Sequence, residues 1–89
     1  MLLAVDCGNT NTVFAVFEGD VQRGQWRIST QAQRTADEYA VWLTQLMSLK
    51  GLAVGDIKQA IVTTVVPGTR RNLGSLLEEH FGVTPHVVR

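Results

Sequence analysis

The stretch LLAVDCGNTNTVFAVF, residues 2–17, contains two apolar runs separated by a short polar segment. The first run predicts a strand over Leu2–Cys7, and the second predicts a strand over residues 12–18. The loop between them is too short for anything but an antiparallel return. A simple two-residue turn would reverse the chain, yet this segment uses several polar or glycine positions and the carboxylate of Asp6. The extra polar groups at a strand end indicate a ligand site.

The composition is typical of one globular domain. The 89 residues are 45% apolar and 18% charged, which is too hydrophobic for a disordered tail and too interrupted for a membrane span. A chain of this length builds a single core. Eight basic residues balance eight acidic ones, so no net field draws the protein to nucleic acid or to an anionic membrane. We therefore expect neither partner.

The cysteine content and the first residues favour the cytoplasm. Cys7 is the only cysteine, so no internal disulfide can form. The opening residues MLLAV lack the basic start and the cleavage signal of a secretory peptide. Both features fit a reducing compartment.

The rest of the chain predicts the element order β-β-β-α-β-α-β. A tight turn at Gly19-Asp20 leads into an alternating pattern that predicts a third strand over Val21–Ser29. Thr35 and Glu38 form a capping box at the start of a helix, which the apolar spacing continues to about Lys50-Gly51.

The second half of the chain predicts two more strands and a helix. A β-branched run over residues 60–66 predicts a strand covered on both faces, ended by Pro67-Gly68. A second helix ends at Gly82, and residues 83–88 form a short strand. The apolar face of that helix contains Leu73, Leu76, Leu77, His80 and Phe81.

An antiparallel meander followed by crossover helices predicts an α/β fold with a mixed five-stranded sheet in the order 3-2-1-4-5. Strand 1 is then central, and its carboxyl end, with Asp6, lies beside the end of strand 4, residues 63–67. Open α/β sheets bind ligands at this edge.

The loop after Asp6 has the composition of an anion site. Small and polar residues leave several backbone N–H groups pointing into one concavity, which suits phosphate. Gly8 permits a close approach, and Thr10 and Thr12 add hydroxyl donors. Because the Asp6 carboxylate repels a bare phosphate, a carboxylate beside a phosphate site indicates that Mg²⁺ bridges the two. The alternative is an elaborate hairpin in which Asp6 and the asparagines satisfy the loop amides, and the pattern alone does not separate the two.

The segment Asp6-Cys7-Gly8-Asn9-Thr10 resembles the first phosphate-binding motif of the acetate kinase, sugar kinase and actin superfamily. With WRIST at 26–30, RTADEY at 34–39 and TTVVP at 63–67, almost the whole chain resembles the type III pantothenate kinase family. The resemblance implies the first lobe of an actin-like, ribonuclease H-like ATPase fold. Cys7 stands where the family often has an aliphatic residue, which a buried strand tolerates.

The resemblance also implies an activity, ATP-dependent phosphorylation of pantothenate in coenzyme A synthesis, by a homodimer that uses Mg²⁺ and a monovalent cation, K⁺ or NH₄⁺. It implies that Asp6 lies near the Mg²⁺, directly or through water. The residues that it assigns to the ATP phosphates are Asp6, Cys7, Gly8, Asn9, Thr10, Asn11, Thr12 and Val13.

The family's catalytic aspartate lies in a Gly-x-Asp-Arg motif that this chain, ending at Arg89, does not contain. We therefore expect residues 1–89 to form one amino-terminal lobe truncated from a two-lobe kinase. Phosphoryl transfer needs two lobes closed around the substrate, so the lobe alone should have little activity. A lobe that lacks its last helix leaves one sheet face uncovered, and this apolar surface should favour self-association. The alternative function is a regulatory or accessory factor, or a binding module, of the same fold.

Other reactive residues have simpler interpretations. Cys7 lacks an adjacent base and is expected to be a buried, inert thiol. His80 and His86 lack metal-ligand spacing and are expected to be structural. The pair Arg70-Arg71 is either solvated or within reach of a phosphate. Arg34 is either solvated at a helix entry or, as the resemblance implies, near the dimer and substrate region.

The aromatic residues Trp26, Tyr39 and Trp42 fit a core or an interface better than a ligand cage. Thr63 and Thr64 end the fourth predicted strand, so one hydroxyl should face the ligand side while the other packs against a helix.

Overall fold

The structure is a computed structural model that describes residues 1–88. A short 3₁₀ turn, Val54–Asp56, precedes the fourth strand, and a π-helical turn, Leu76–His80, continues the second helix. The strands and α-helices in chain order are β1 (Leu2–Cys7), β2 (Asn11–Glu18), β3 (Val21–Ser29), α1 (Ala36–Leu49), β4 (Gln59–Thr64), α2 (Thr69–Ser75) and β5 (His86–Val88). In the described residues, no helix is both long and apolar enough to cross a membrane.

The sheet has the order β3-β2-β1-β4-β5, which confirms the predicted topology. β1 is central and pairs antiparallel with β2 and parallel with β4. The outer pairs are β2 with β3, antiparallel, and β4 with β5, parallel. The α/β fold class inferred from the element pattern is therefore correct.

Both helices pack on the same face of the sheet. Side chains of β1 alternate, so Leu3, Val5 and Cys7 point to that covered face and are buried. The helical part of the same core cluster consists of Ala36, Tyr39, Ala40, Leu43, Met47, Leu73, Leu76, Leu77 and Phe81. The core consequently lies between one sheet face and the two helices.

The opposite sheet face, which we call the open face, carries no helix in residues 1–88. The expectation that the fourth strand is covered on both faces is therefore wrong. On β4, Gln59 and Thr63 are exposed and Ile61 is half-buried, whereas Ala60 and Val62 on the covered face are buried. Self-association through this open face stays a prediction.

The capping box at the start of α1 is confirmed. The Glu38 backbone N–H donates to Thr35 Oγ1 at 3.2 Å, and the Thr35 N–H donates to Glu38 Oε1 at 2.9 Å. The Thr35 hydroxyl adds a third bond to Glu38 Oε1 at 3.0 Å. These bonds occupy amides that have no partner within the first helical turn.

Two strand boundaries differ from the prediction by two residues or more. β4 ends at Thr64 rather than at residue 66, because the Thr64 hydroxyl accepts the Val66 N–H at 3.1 Å and bends the chain out of the sheet. β5 begins at His86 rather than at residue 83, because Pro85 has no N–H to donate to the ladder. The π-helical turn that continues α2 ends at His80, and Gly82, whose φ of 67° suits glycine, stops the helix as predicted.

Candidate phosphate-binding site

The turn between β1 and β2 carries a run of free amides. Among residues 1–88, the N–H groups of Asn9, Thr10 and Asn11 have no hydrogen-bond acceptor. The Gly8 N–H donates to the Asn11 carbonyl at 2.9 Å, but the reciprocal bond, which would close the turn, is not formed. Successive unpaired amides in a tight bend bind anions such as phosphate oxygens.

Two carbonyl groups of this turn, those of Gly8 and Thr10, bond to Thr30, the residue directly after β3. Thr30 donates its hydroxyl hydrogen to the Gly8 carbonyl at 2.8 Å and its N–H to the Thr10 carbonyl at 2.9 Å. Carbonyl and N–H of one trans peptide unit point in opposite directions, so the Asn9 and Asn11 N–H groups point away from Thr30. The Asn9 and Asn11 donors therefore point away from Thr30, which binds the Gly8 and Thr10 carbonyls.

Asp6 lies beside this turn on the open face. Its partner in the parallel β1–β4 pair is Thr63, and both side chains are exposed. Within residues 1–88, no cluster of three or more His, Cys, Asp or Glu side chains could hold a metal by itself. Mg²⁺ is commonly bound by one or two carboxylates together with substrate phosphates and water, so a single carboxylate next to free amides fits it.

Cys7 and Thr12 face the covered side instead. The Thr12 hydroxyl lies 3.3 Å from Cys7 Sγ and 2.9 Å from Thr30 Oγ1, and Thr12 is fully buried. Thr12 was expected to offer its hydroxyl to a ligand, but this hydroxyl is used inside the protein. The side chains of Cys7 and Thr12 thus support the turn from the covered face of the sheet.

The Cys7 thiol is buried, as expected of a structural cysteine. Burial raises the pKa of this thiol, but hydrogen bonding with nearby threonine hydroxyls outweighs it, so that the pKa is lowered overall. Those hydroxyls belong to Thr12, Thr64, Thr69 and Thr30. With Sγ enclosed by hydroxyl groups and helix side chains, the thiol lacks the access that a nucleophile needs.

The end of β4 separates its two threonines as predicted. Thr63 is exposed beside Asp6, whereas the Thr64 hydroxyl lies 2.7 Å from that of Thr69 on α2. Both Arg70 and Arg71 are exposed at the start of α2. A surface cavity of about 370 Å³ opens here, lined by Thr64, Val65, Val66, Pro67, Gly68 and Arg70. Arg70 is thereby next to the carboxyl edge of the sheet, and Arg71 does not line this cavity.

Arg34 and Tyr39 pack together on the covered side. The Arg34 guanidinium lies 5.8 Å from the centre of the Tyr39 ring, and Asn72 Nδ2 donates to the Arg34 carbonyl at 2.8 Å. Burial raises the pKa of the Tyr39 hydroxyl. Tyr39 also contacts Phe14, which Trp42 meets edge-on at 5.4 Å between ring centres. Tyr39 is therefore a core residue, and Trp42 and Trp26 are partly buried against the core, in agreement with the packing role expected for these aromatics.

The two histidines lie away from the turn. His80 Nε2 is 2.9 Å from Asp37 Oδ1 and so joins the second helix to α1, a structural role as expected. His86 is exposed on the edge strand β5.

Sequence reasoning missed the role of Thr30. The signal was present in the register of the meander, because a threonine directly after β3 falls opposite Thr10 when β2 and β3 pair. Finding it required the exact pairing register, which an isolated strand pattern does not specify.

The fold matches that of known structures. YeaZ from Pseudomonas aeruginosa aligns with a TM-score of 0.67 and 15% identity, covering 98% of this chain and 42% of that chain. A Porphyromonas gingivalis protein assigned as an N-acetylglucosamine kinase aligns with a TM-score of 0.65 and 17% identity, covering 98% and 34%. This chain therefore shares its fold with a part of each of these two proteins.

Curated proteins of known family are much more similar in sequence to this chain than these two structures are. A type III pantothenate kinase from Rhodospirillum centenum is 65% identical over 85 residues, which are 96% of this chain and 33% of the relative. The corresponding protein of Rhodospirillum rubrum is 58% identical over 88 residues, covering 99% of this chain and 34% of the relative. The chain therefore spans about a third of the length of the curated relatives that it matches. The sequence model of the type III pantothenate kinases matches residues 2–89, and this chain belongs to that family.

Proposed function

We propose that residues 1–88 form the amino-terminal lobe of a pantothenate kinase and bind the phosphates of ATP. The observation that carries the proposal is the run of unpaired amides at Asn9, Thr10 and Asn11, next to the exposed carboxylate of Asp6. Family membership supports a kinase, and the amides supply the donors that a polyphosphate needs.

In this proposal the phosphate contacts come from the backbone. Each charge-assisted hydrogen bond from an amide to a phosphate oxygen stabilises the complex by about 1.5–3 kcal/mol. The main-chain donors of the turn orient the phosphate chain without a lysine. Residues 6–13 would thus form the ATP site, in which the side chains of Cys7 and Thr12 support the turn from the covered face and do not contact the phosphates.

Asp6 is the residue of this chain that would hold Mg²⁺, directly or through water. Bound there, the cation would neutralise charge on the phosphates during transfer. The Asp6 carboxylate also keeps an uncompensated anion from occupying the site. Thr63, exposed beside Asp6 in the parallel pair, can hydrogen-bond a water of the cation's shell.

The complete reaction is assigned to a longer protein. Phosphoryl transfer to pantothenate needs a nucleophile held in line with the γ-phosphate and water excluded from the site. We propose that the catalytic aspartate and the adenosine contacts come from a second lobe, and that the whole enzyme is a cytoplasmic homodimer using K⁺ or NH₄⁺. The lobe alone should phosphorylate pantothenate at a negligible rate, and a rate near that of a complete family member would contradict this division.

Titration of the ¹⁵N-labelled chain with Mg-ATP tests the phosphate site. The amide resonances of Asn9, Thr10 and Asn11 should shift together and saturably. Inorganic tripolyphosphate with Mg²⁺ should shift the same amides, whereas adenosine with Mg²⁺ should not. Shifts scattered over the surface, or none in the turn, would refute the proposed function.

A further inference from the structure

The turn between β1 and β2 is held open by a residue outside it. In a closed two-residue turn the Asn11 N–H would donate to the Gly8 carbonyl, but this bond is absent among residues 1–88. The Gly8 carbonyl accepts the Thr30 hydroxyl instead, at 2.8 Å. The Gly8 carbonyl is therefore turned towards Thr30 and not towards the Asn11 amide.

A second bond from the same residue fixes the other half of the turn. The Thr30 N–H donates to the Thr10 carbonyl at 2.9 Å, whereas no bond returns from the Thr10 N–H to Thr30 in the described chain. Thr30 thus binds two carbonyl groups of the turn and no amide. The bond from the Thr30 N–H is the last one of the β2–β3 ladder, and the pairing stops there, before the Thr10 N–H is used.

The hydroxyl of Thr30 is itself held in place. It lies 2.9 Å from the hydroxyl of Thr12, which is fully buried. A hydroxyl carries one hydrogen, and that of Thr30 goes to the Gly8 carbonyl, so Thr12 donates its own to Thr30 or to Cys7 Sγ at 3.3 Å. Either arrangement leaves Thr30 as the donor to Gly8.

This geometry also sets the direction of the free amides. Because Thr12 lies on the covered side, the Gly8 carbonyl is drawn to that side. The Asn9 N–H, in the same peptide unit, then points to the side on which Asp6 is exposed.

We propose that Thr30 is a positioning residue that keeps the β1–β2 turn in the open form in which its amides bind phosphate. The inference rests on the proposed function, because it assigns a cause to the amide geometry on which phosphate binding depends. Thr30 acts through the turn and does not itself contact the nucleotide.

The test compares Thr30→Val, Thr30→Ala and Thr30→Ser with the unmodified chain. Thr44→Val is the matched control, since the Thr44 hydroxyl also bonds a backbone carbonyl, that of Ala40, but within α1. Calorimetry with Mg-ATP should give dissociation constants raised about tenfold or more for the valine and alanine variants. The serine variant, which keeps the hydroxyl, and the control should stay within about twofold.

Amide hydrogen exchange without nucleotide is the second readout. In Thr30→Val and Thr30→Ala the Gly8 carbonyl is no longer held towards residue 30 and can turn to accept the Asn11 N–H, so exchange at Asn11 should slow while the helix amides stay protected. The alanine variant, which demands no extra space, keeps this readout available should the valine variant not fold.

The outcomes separate the two proposals. Unchanged affinity and unchanged Asn11 exchange in the valine and alanine variants would overturn the role of Thr30, and so would a serine variant as weak as the valine one. Failure of the unmodified chain to bind Mg-ATP or tripolyphosphate, with Asn11 exchange still slowed in the variants, would instead overturn the proposed function while the effect of Thr30 on the turn stands.

Discussion

Asp6 and Thr63 are neighbours in the parallel β1–β4 pair, and both are exposed on the sheet face that carries no helix in residues 1–88. The residues just before and after Asp6, Val5 and Cys7, are buried on the other face. Alternation along β1 therefore separates a carboxylate open to ligands from a thiol enclosed by the core.

Replacing Asp6 with asparagine should weaken Mg-ATP binding about tenfold, because the variant keeps the shape of the side chain and loses the charge that holds the cation. Calorimetry at a fixed Mg²⁺ concentration measures this. Asp20→Asn is the control, since Asp20 is also exposed but lies in the turn between β2 and β3. Equal losses in the two variants would point to net charge and against a local role of Asp6.

Replacing Gly8 with alanine should destabilise the turn. A Cβ at Gly8 would lie 3.3 Å from the Asn11 carbonyl oxygen, and that carbonyl is held by the Gly8 N–H at 2.9 Å. We expect a loss of about 1 kcal/mol in the free energy of unfolding and weaker Mg-ATP binding.

Gly55→Ala is the control for this change, because a Cβ there meets nothing within 4 Å. Its free energy of unfolding should be unchanged or raised by up to about 1 kcal/mol. Urea denaturation compares the free energies of unfolding of the two variants. A Gly8→Ala protein as stable as Gly55→Ala would show that the turn accommodates the added methyl group without loss of stability.

The capping box of α1 should make stability depend on pH. Hydrogen bonds from the Thr35 N–H and hydroxyl lower the pKa of the Glu38 carboxyl. Because the pKa is lower in the folded state, this stabilisation is present above the ordinary carboxyl pKa and is lost as pH falls through the folded value. Glu38→Gln should therefore show a smaller loss of stability on acidification than the unmodified chain.

The N-cap itself can be tested at neutral pH. Thr35→Ala should lower the free energy of unfolding by about 1 kcal/mol, whereas Ser48→Ala, at an exposed position of the same helix, should change it by less than about 0.5 kcal/mol. Similar values for the two variants would mean that the bonds of Thr35 do not stabilise α1.

Removing the Phe14 ring should be among the most damaging changes. Phe14 is fully buried and packs against the rings of Tyr39 and Trp42 on α1. Phe14→Ala should cost about 3–5 kcal/mol, read from urea denaturation followed by circular dichroism. Val41→Ala removes an apolar side chain that is 64% exposed and should cost less than about 0.5 kcal/mol. A Phe14 variant that loses under about 1 kcal/mol would contradict the assigned core.

Much of the fold could be predicted because its signals are local. The capping box at Thr35 and Glu38 follows from residues close together in the chain, and the strand order follows from the locally predicted elements together with the rule that crossovers are right-handed. The end of β4 was missed by two residues because a run of β-branched residues favours a strand, whereas the hydroxyl of Thr64 diverts the chain. The coverage of β4 was also misjudged, since an apolar run does not reveal on which faces helices pack.

The sequence alone determined that a polar bend follows a central strand, and that a carboxylate stands at its edge. Only the tertiary structure decided what the bend presents to a ligand. The Thr30 hydroxyl bonds to Gly8, 22 residues earlier in the chain, and to Thr12, 18 residues earlier. Whether the turn amides are hydrogen-bonded or free therefore depends on the register of β3 against β2. A backbone group bonds whatever acceptor or donor the assembled sheet brings near, and no short stretch of residues specifies that partner.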